Sequence, residues 1–267
     1  MSDAAPARRA PSKAVRLRAV WYRHWKVYSK FIVANATPAV LEPTFFLLAV
    51  GFGLGRYIHR EFNGLEYDAY MAPALLAMTS MYTAAFEASY GTFIRLRYQK
   101  AYEGMLATPL TRHDIFTGEL LWCGSKGLLF SSIVALVLLA FGHLRTPWAV
   151  LVPAIGFLNS IVFAGISYLV TSWVKNINHF QFYFTIGLTP LGLLSGLVFP
   201  VRELPYGLEY AAYATPLFHT IETFRLVVSG PAHTSVAWAW ACPLVLVTMA
   251  IVLGALGVRR MKGRLKA

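Results

Sequence analysis

Charge is scarce in this chain. Of its 267 residues only 13% are Asp, Glu, Lys or Arg, while 57% are hydrophobic. A soluble domain carries about 25% charged residues, so the composition excludes an ordinary soluble enzyme and points to an integral membrane protein. Acid is scarcer still, with 12 Asp and Glu against 24 Lys and Arg, for a net charge of +12. A basic excess gathered on one face attracts nucleic acid. Here the cations stand in short blocks beside apolar runs, as in membrane loops that stay in the cytoplasm, and no nucleic-acid partner is implied. Cysteine is nearly absent. Cys123 and Cys242 fall inside apolar runs, form no CxxC pair, and read as free buried thiols. The seven histidines show no metal-ligand spacing. A nucleotide loop is missing too: Gly124-Ser125-Lys126 lacks the turn that precedes a Walker lysine, and Gly51, Gly53 and Gly55 have no strand beside them. The chain is therefore read without catalytic residues, metal or bound cofactor of its own.

What is present is a series of apolar runs. Residues 1–14 have no apolar period and read as a disordered tail. Over 15–30, Leu17, Val20, Trp21, Trp25 and Tyr28 keep helical spacing, with Arg16, Arg23 and Lys30 on another side. Such a helix fits the membrane interface, with a soluble surface helix as the other reading. Six runs near the ~20 residues that a bilayer requires follow at about 31–54, 67–94, 115–141, 149–173, 182–199 and 236–258. The first run is too long for a signal-peptide core and reads as an uncleaved span. Between the last two runs lies 200–235, broken by Pro200, Pro205, Pro216 and Pro231. Irregular backbone at membrane depth must be covered by protein or water, so two short re-entrant helices are expected there, with a surface-lying amphipathic loop as the other reading. The expected fold is all-α: an interfacial helix, six spans, the re-entrant pair, and a basic tail at 259–267.

Orientation follows from the cations. With six spans the termini share a side, and that side holds 18 of the 24 Lys and Arg. The opposite side holds 5, and Lys126 lies within the third run. The bias places both termini, and the polar segment 95–114, in the cytoplasm.

That segment is the longest polar interruption between runs. Thr111 with Asp114 fits a capping pair at the start of the third span, and Pro109 sets a turn before it. Glu42, at mid-span, costs roughly 2.5–3.5 kcal/mol on insertion scales unless it faces protein or water. It reads either as a gate residue or as a structural hydrogen bond beside the break at Pro43. Glu87 has the same ambiguity. Glu119 and Lys126, seven apart on one face, require partners on other helices. Gly192 and Gly196 read as a small-residue packing pair.

The stretch YEGMLATPLTRHDIFTGELLW (Tyr102–Trp122) resembles the cytoplasmic segment of type-2 ATP-binding-cassette exporter permeases, and more closely the branch with the nodulation lipo-oligosaccharide exporters and some drug exporters. NATPAVLEPTFFLLAVGFGLG (Asn35–Gly55), SGLVFPVRELP (Ser195–Pro205) and ATPLFHTIETFR (Ala214–Arg225) resemble the same family in the same order. The resemblance implies that Tyr102, Glu103, Met105, Leu106, Thr108 and Pro109 form the coupling element that meets a separate ATPase. It also places Phe199, Pro200, Leu204 and Pro205, with Pro216, Leu217, His219 and Arg225, beside Glu42 and Pro43 along the transport path or its gate. Its implied partners are two ATPase subunits carrying ATP and Mg, a second copy of this chain, the bilayer and an amphiphilic substrate. The implied activity is export across a bacterial cytoplasmic (inner) membrane of a lipid-linked oligosaccharide or other glycolipid. The alternatives are a drug or small hydrophobic compound and a polysaccharide. A membrane-embedded enzyme would gather its acids at one face, whereas Glu42, Glu87 and Glu119 fall on different runs. An ion-driven carrier would use Glu42 or Glu87 as its proton site.

Overall fold

Two kinds of long helix build the molecule, and the distinction lies in the backbone. The computed structural model describes residues 11–53, 57–58, 61–234 and 236–265. Among them the only strand-like pairing is the isolated bridge between Phe62 and Leu65. The first kind of helix is unbroken by π turns: α6 (Arg112–Ala140), α7 (Val152–Trp173, entered through a 3-10 turn at Pro147–Leu151) and α12 (Val236–Arg264). These three are long and apolar enough to cross a membrane. The second kind carries a π turn. It comprises α2 (Ile32–Leu48, continued by Ala49–Gly53), α3 (Tyr67–Phe86, continued through Glu87–Gly91 into α4, Thr92–Arg97), and the run from α8 (Phe180–Phe182) through Tyr183–Leu188 into α9 (Thr189–Leu194). π turns widen one turn of a helix and cluster at functional sites.

The unbroken helices pack closely because small residues let them. A Cβ on Gly127 of α6 would sit 2.6 Å from the Gly156 carbonyl of α7, and one on Gly257 of α12 would sit 2.7 Å from the Gly165 carbonyl of α7. Buried polar groups add glue. Asn159 of α7 donates to the Ala77 carbonyl (2.9 Å) and Ser80 Oγ (2.8 Å) of α3. It accepts from Thr220 (2.9 Å) of α11 (Pro216–Val228). The outward faces of these helices carry Leu136, Leu139, Leu244 and Ile251, all well exposed, as a lipid-facing surface should.

Several expectations change. Helix α1 (Lys13–Ser29) begins before residue 15, so Lys13 and Ala14 of the expected tail are helical; residues 1–10 lie outside the described part. The aromatic residues of α1 do not all face outward. Trp21 and Trp25 pack with Tyr28 on Trp122 of α6, and Trp21 Nε1 donates to Ser125 Oγ at 2.9 Å. Gly118 admits this approach, since a Cβ there would meet Val20 at 2.7 Å. The fifth helical run stops at Leu194, short of 199. Gly196 is no packing residue: its φ of +86° makes it the turn that ends the run, a conformation glycine tolerates. The block 200–235 does hold two helices, α10 (Leu208–Tyr213) and α11. But α11 buries 11 of its 13 residues, so it is an interior helix wedged among α3, α7 and α12.

Candidate functional site

The polar segment after α4 is a helix, a turn and a new helix start. α4 ends at Arg97, Lys100 adopts φ +48°, and α5 runs from Ala101 to Leu106. A non-glycine residue in the left-handed region costs about 1–2 kcal/mol, which surrounding contacts must offset. Thr108 Oγ1 donates to the Met105 carbonyl at 2.6 Å and closes the end of α5. Thr111 then opens α6 with the expected capping box. Its Oγ1 accepts from Asp114 N–H at 3.2 Å, and Asp114 Oδ2 accepts from Thr111 N–H at 3.0 Å. Arg16 of α1 sits 3.1 Å from the same carboxylate. Burial opposes the charge on Asp114, but the Thr111 hydrogen bonds and Arg16 outweigh it and hold the carboxyl below its usual range.

The side chains of 102–109 divide between the interior and the surface. Tyr102 is 1% exposed and Met105 is buried against the core. Glu103, Thr108 and Pro109 face outward, and Leu106 is half-buried. The outer side of this segment therefore mixes Glu103 and Thr108 with Gly104, Ala107 and Pro109, and Tyr102 and Met105 anchor it from behind. The physical cause is Glu119. Tyr102 Oη lies 2.7 Å from both oxygens of the Glu119 carboxylate and donates to it. Arg95 Nε donates to Glu119 at 2.8 Å, while its Nη1 donates to Glu87 at 2.8 Å. Lys126 Nζ closes the chain on Glu87 at 3.0 Å. His24 of α1 and Tyr168 of α7 approach Glu119 at 3.3 Å and 3.5 Å.

One carboxylate thus touches groups from α1, α4, α5 and α7 while standing on α6. Two acids and two fixed cations balance, which is how charge is kept in a shielded place. The sequence flags Glu119 and Lys126 as needing partners and leaves Glu87 open between a gate residue and a structural bond. It missed Arg95, His24 and Tyr168. Arg95 opens the polar segment 95–114 in the sequence, yet it lies eight residues after Glu87 with the π turn at Glu87–Gly91 between them. The freed Glu87 carbonyl accepts from Thr92 at 3.3 Å.

Lys126 also lines a cavity of about 720 Å³ between α2, α3 and α6. Glu42 borders this cavity, and its surroundings are otherwise largely apolar, including Phe46, Leu75, Met78 and Phe130. Glu42 is exposed and faces this space; Pro43 lies outside the described side chains. The other path residues are not brought to it. Pro200 and Arg225 line a separate pocket of about 300 Å³ at the far end of α3. Leu217 belongs to the main core, Leu204 packs near Val201 and Phe218, and His219 Nδ1 lies 3.3 Å from Cys242 Sγ. Phe199 and Pro205 are exposed and Pro216 is half-buried. Among the described side chains, Glu42 thus lines one cavity, Pro200 and Arg225 line another, and Leu204, Leu217 and His219 pack in the interior.

Comparison with known proteins shows the family. The family described as ABC-2 type transporter matches residues 15–228. Nodulation protein J of Sinorhizobium fredii is 35% identical over 207 residues, 78% of this chain and 79% of its own length. Nodulation protein J of Rhizobium meliloti is 33% identical over 214 residues, 79% of this chain and 80% of its own length. The inner membrane transport permease YadH of Escherichia coli is 24% identical over 211 residues, 79% of this chain and 82% of its own length. The chain belongs to the ABC-2 type transporter family, as a membrane permease subunit of an ATP-binding-cassette exporter in the bacterial inner membrane.

Proposed function

We propose that this permease exports an amphiphile, a lipid-linked oligosaccharide or other glycolipid, driven by two ATPase subunits docked on 95–114 and completed by a second copy of the chain. ATP and Mg belong to the ATPase, and this chain supplies the path and the mechanical link. In this reading both termini and α5 are cytoplasmic, in keeping with 18 of 24 cations on that side.

The observation that carries the proposal is the bond from Tyr102 to Glu119. A contact that transmits motion has to be stiff where it enters the membrane domain. A six-residue helix is marginal alone, so α5 owes its rigidity to its anchor. Tyr102 ties it to Glu119 at 2.7 Å, and Glu119 in turn holds Arg95. Through Glu87 and Lys126 the same chain of charges ends at the cavity beside Glu42. Displacement of α5 by an ATPase is thereby felt at the cavity wall. The mixed lining supports an amphiphile, with apolar walls for a lipid portion and Glu42 and Lys126 for a polar one.

Proteoliposomes holding this chain and its ATPase test the substrate. ATP should drive a fluorescently labelled lipid-linked oligosaccharide across the bilayer. Movement of a hydrophobic dye alone would favour a drug exporter, and movement of a lipid-free glycan a polysaccharide exporter. Movement that follows a proton gradient and ignores ATP would refute the proposal.

A further inference from the structure

At the opposite end of the α3–α4 run from the Glu119 network, a second buried charge is incompletely paired. Arg225 of α11 is 2% exposed. Its Nη1 donates to Glu222, one turn earlier, and Thr234 Oγ1 donates to the other Glu222 oxygen at 2.7 Å. The guanidinium lies over the Tyr70 ring, 4.4 Å from its centroid. Nε and Nη2 remain, and neither has a hydrogen-bond partner among the described residues. These two nitrogens form the side-on edge of the guanidinium, the fork that matches the two oxygens of a carboxylate, sulfate or phosphoryl group.

A buried donor left unmade costs about 1–3 kcal/mol, and more when charged, so such groups nearly always have partners. Stacking on Tyr70 satisfies the face of the guanidinium and leaves its edge open. Beside it lies the pocket of about 300 Å³, whose lining includes Asn63, Arg202 and Thr234 as polar groups and Tyr213 and Trp238 as aromatic walls. Among the described lining residues Glu222 is the only acid, and it is already committed to Arg225 and Thr234. Arg202 adds a cation at the exposed rim. The open edge of Arg225 thus meets no acid other than Glu222 among the described lining residues.

We propose that this pocket is an oxyanion-binding site, in which the Arg225 fork takes a carboxylate, sulfate or phosphoryl group and Tyr213 and Trp238 flank whatever carries it. Both free nitrogens are shielded from solvent in this conformation, so occupation includes a small rotation of the guanidinium toward the pocket. The site is independent of the coupling role of α5, and no ATPase is required to test it.

The purified chain in phosphatidylcholine nanodiscs is titrated with sulfate, phosphate and glucuronate against chloride at constant ionic strength. Tryptophan fluorescence reads binding, and Trp238→Phe locates the signal. Saturable binding of at least one of the three is expected, weakened by about tenfold or more in Arg225→Lys, which keeps the charge but loses the fork. Arg202→Gln should weaken it by less than about threefold, as a rim charge does. The paired variant Arg225→Gln/Glu222→Gln removes both charges together, which guards the fold, and should abolish binding. The wild-type melting temperature should rise with the bound anion, and that of the paired variant should not. Tighter binding of glucuronate than of the inorganic ions supports an oxyanion borne by a larger molecule, and equal binding supports a free anion; both support the site. No saturable binding of any probe, or equal affinity in Arg225→Lys and wild type, overturns it.

Discussion

The unbroken helices α6, α7 and α12 and the π-interrupted helices α2, α3–α4 and α8–α9 differ in what holds them together. The first set meets through glycine contacts with carbonyls at 2.6–2.7 Å from a would-be Cβ. The second set borders the Glu42 cavity through α2 and α3. Its π turns adjoin one another through stacked aromatics, Phe86 on Phe184 at 4.3 Å and Tyr90 near Phe180 at 5.1 Å. Close backbone packing has one solution and resists motion. Aromatic stacks next to widened turns can slide with less loss. The comparison teaches where the two sets meet: α6 shares the cavity wall with α2 and α3 through Lys126 and Phe130, and Glu119 of α6 binds Arg95 at the end of the α3–α4 run.

The joint should give the largest stability effect. Glu119→Ala leaves Arg95 and Tyr102 buried without their acceptor, and breaking a buried ionic group costs about 3–5 kcal/mol. Denaturation in detergent micelles checks this, and a loss under about 1 kcal/mol would mean that the network is ornamental. The glycine contacts come next. Gly127→Ala drives a methyl into the α6–α7 contact and should cost about 1–3 kcal/mol by overpacking; the same change at Gly263, which has nothing within 4 Å, should be neutral. The cap is smaller. Thr111→Ala should cost about 1 kcal/mol. Because the Asp114 carboxyl is held below its usual range, its stabilisation is complete above the ordinary aspartate value of about 3.9. It is lost as pH falls through the lower folded value. Asp114→Asn should flatten that acid limb of the stability curve.

Glu42 should give the smallest stability effect. It is exposed to its cavity, so Glu42→Ala should change stability by less than about 0.5 kcal/mol while transport falls. If charge is what matters, Glu42→Gln should fail in transport as well. If hydrogen bonding is what matters, the Gln variant should survive. Normal transport in both would remove Glu42 from the mechanism and leave the cavity assignment to the remaining walls.

The sequence made local features legible and left distant ones hidden. Thr111 and Asp114 are three residues apart, so their capping box could be read directly. The helices α6, α7 and α12 declared themselves by uninterrupted apolar length. The π turns did not, because an extra residue in a turn leaves no composition or period to read. The partners of Glu119 lie 24, 17 and 49 residues away, at Arg95, Tyr102 and Tyr168, and only folding brings them together. The same distance problem concealed the inward turn of Tyr102 and Met105. It also hid the burial of α11, which lies among α3, α7 and α12 and pairs Arg225 with Glu222 inside the molecule.

The most direct measurement compares transport with ATP consumption in Tyr102→Phe. This change removes one hydroxyl, keeps the ring against Phe116, and leaves the outward residues Glu103, Thr108 and Pro109 untouched. A hydrogen bond to a charged group is worth about 1.5–3 kcal/mol, so α5 should stay helical but lose its tie to Glu119. In proteoliposomes with the ATPase, ATP hydrolysis should stay within about twofold of wild type, while substrate moved per ATP should fall by about tenfold, the ratio that ~1.4 kcal/mol represents. An unchanged ratio of substrate moved to ATP consumed would contradict the account, because motion of α5 would then reach the spans without passing through Glu119.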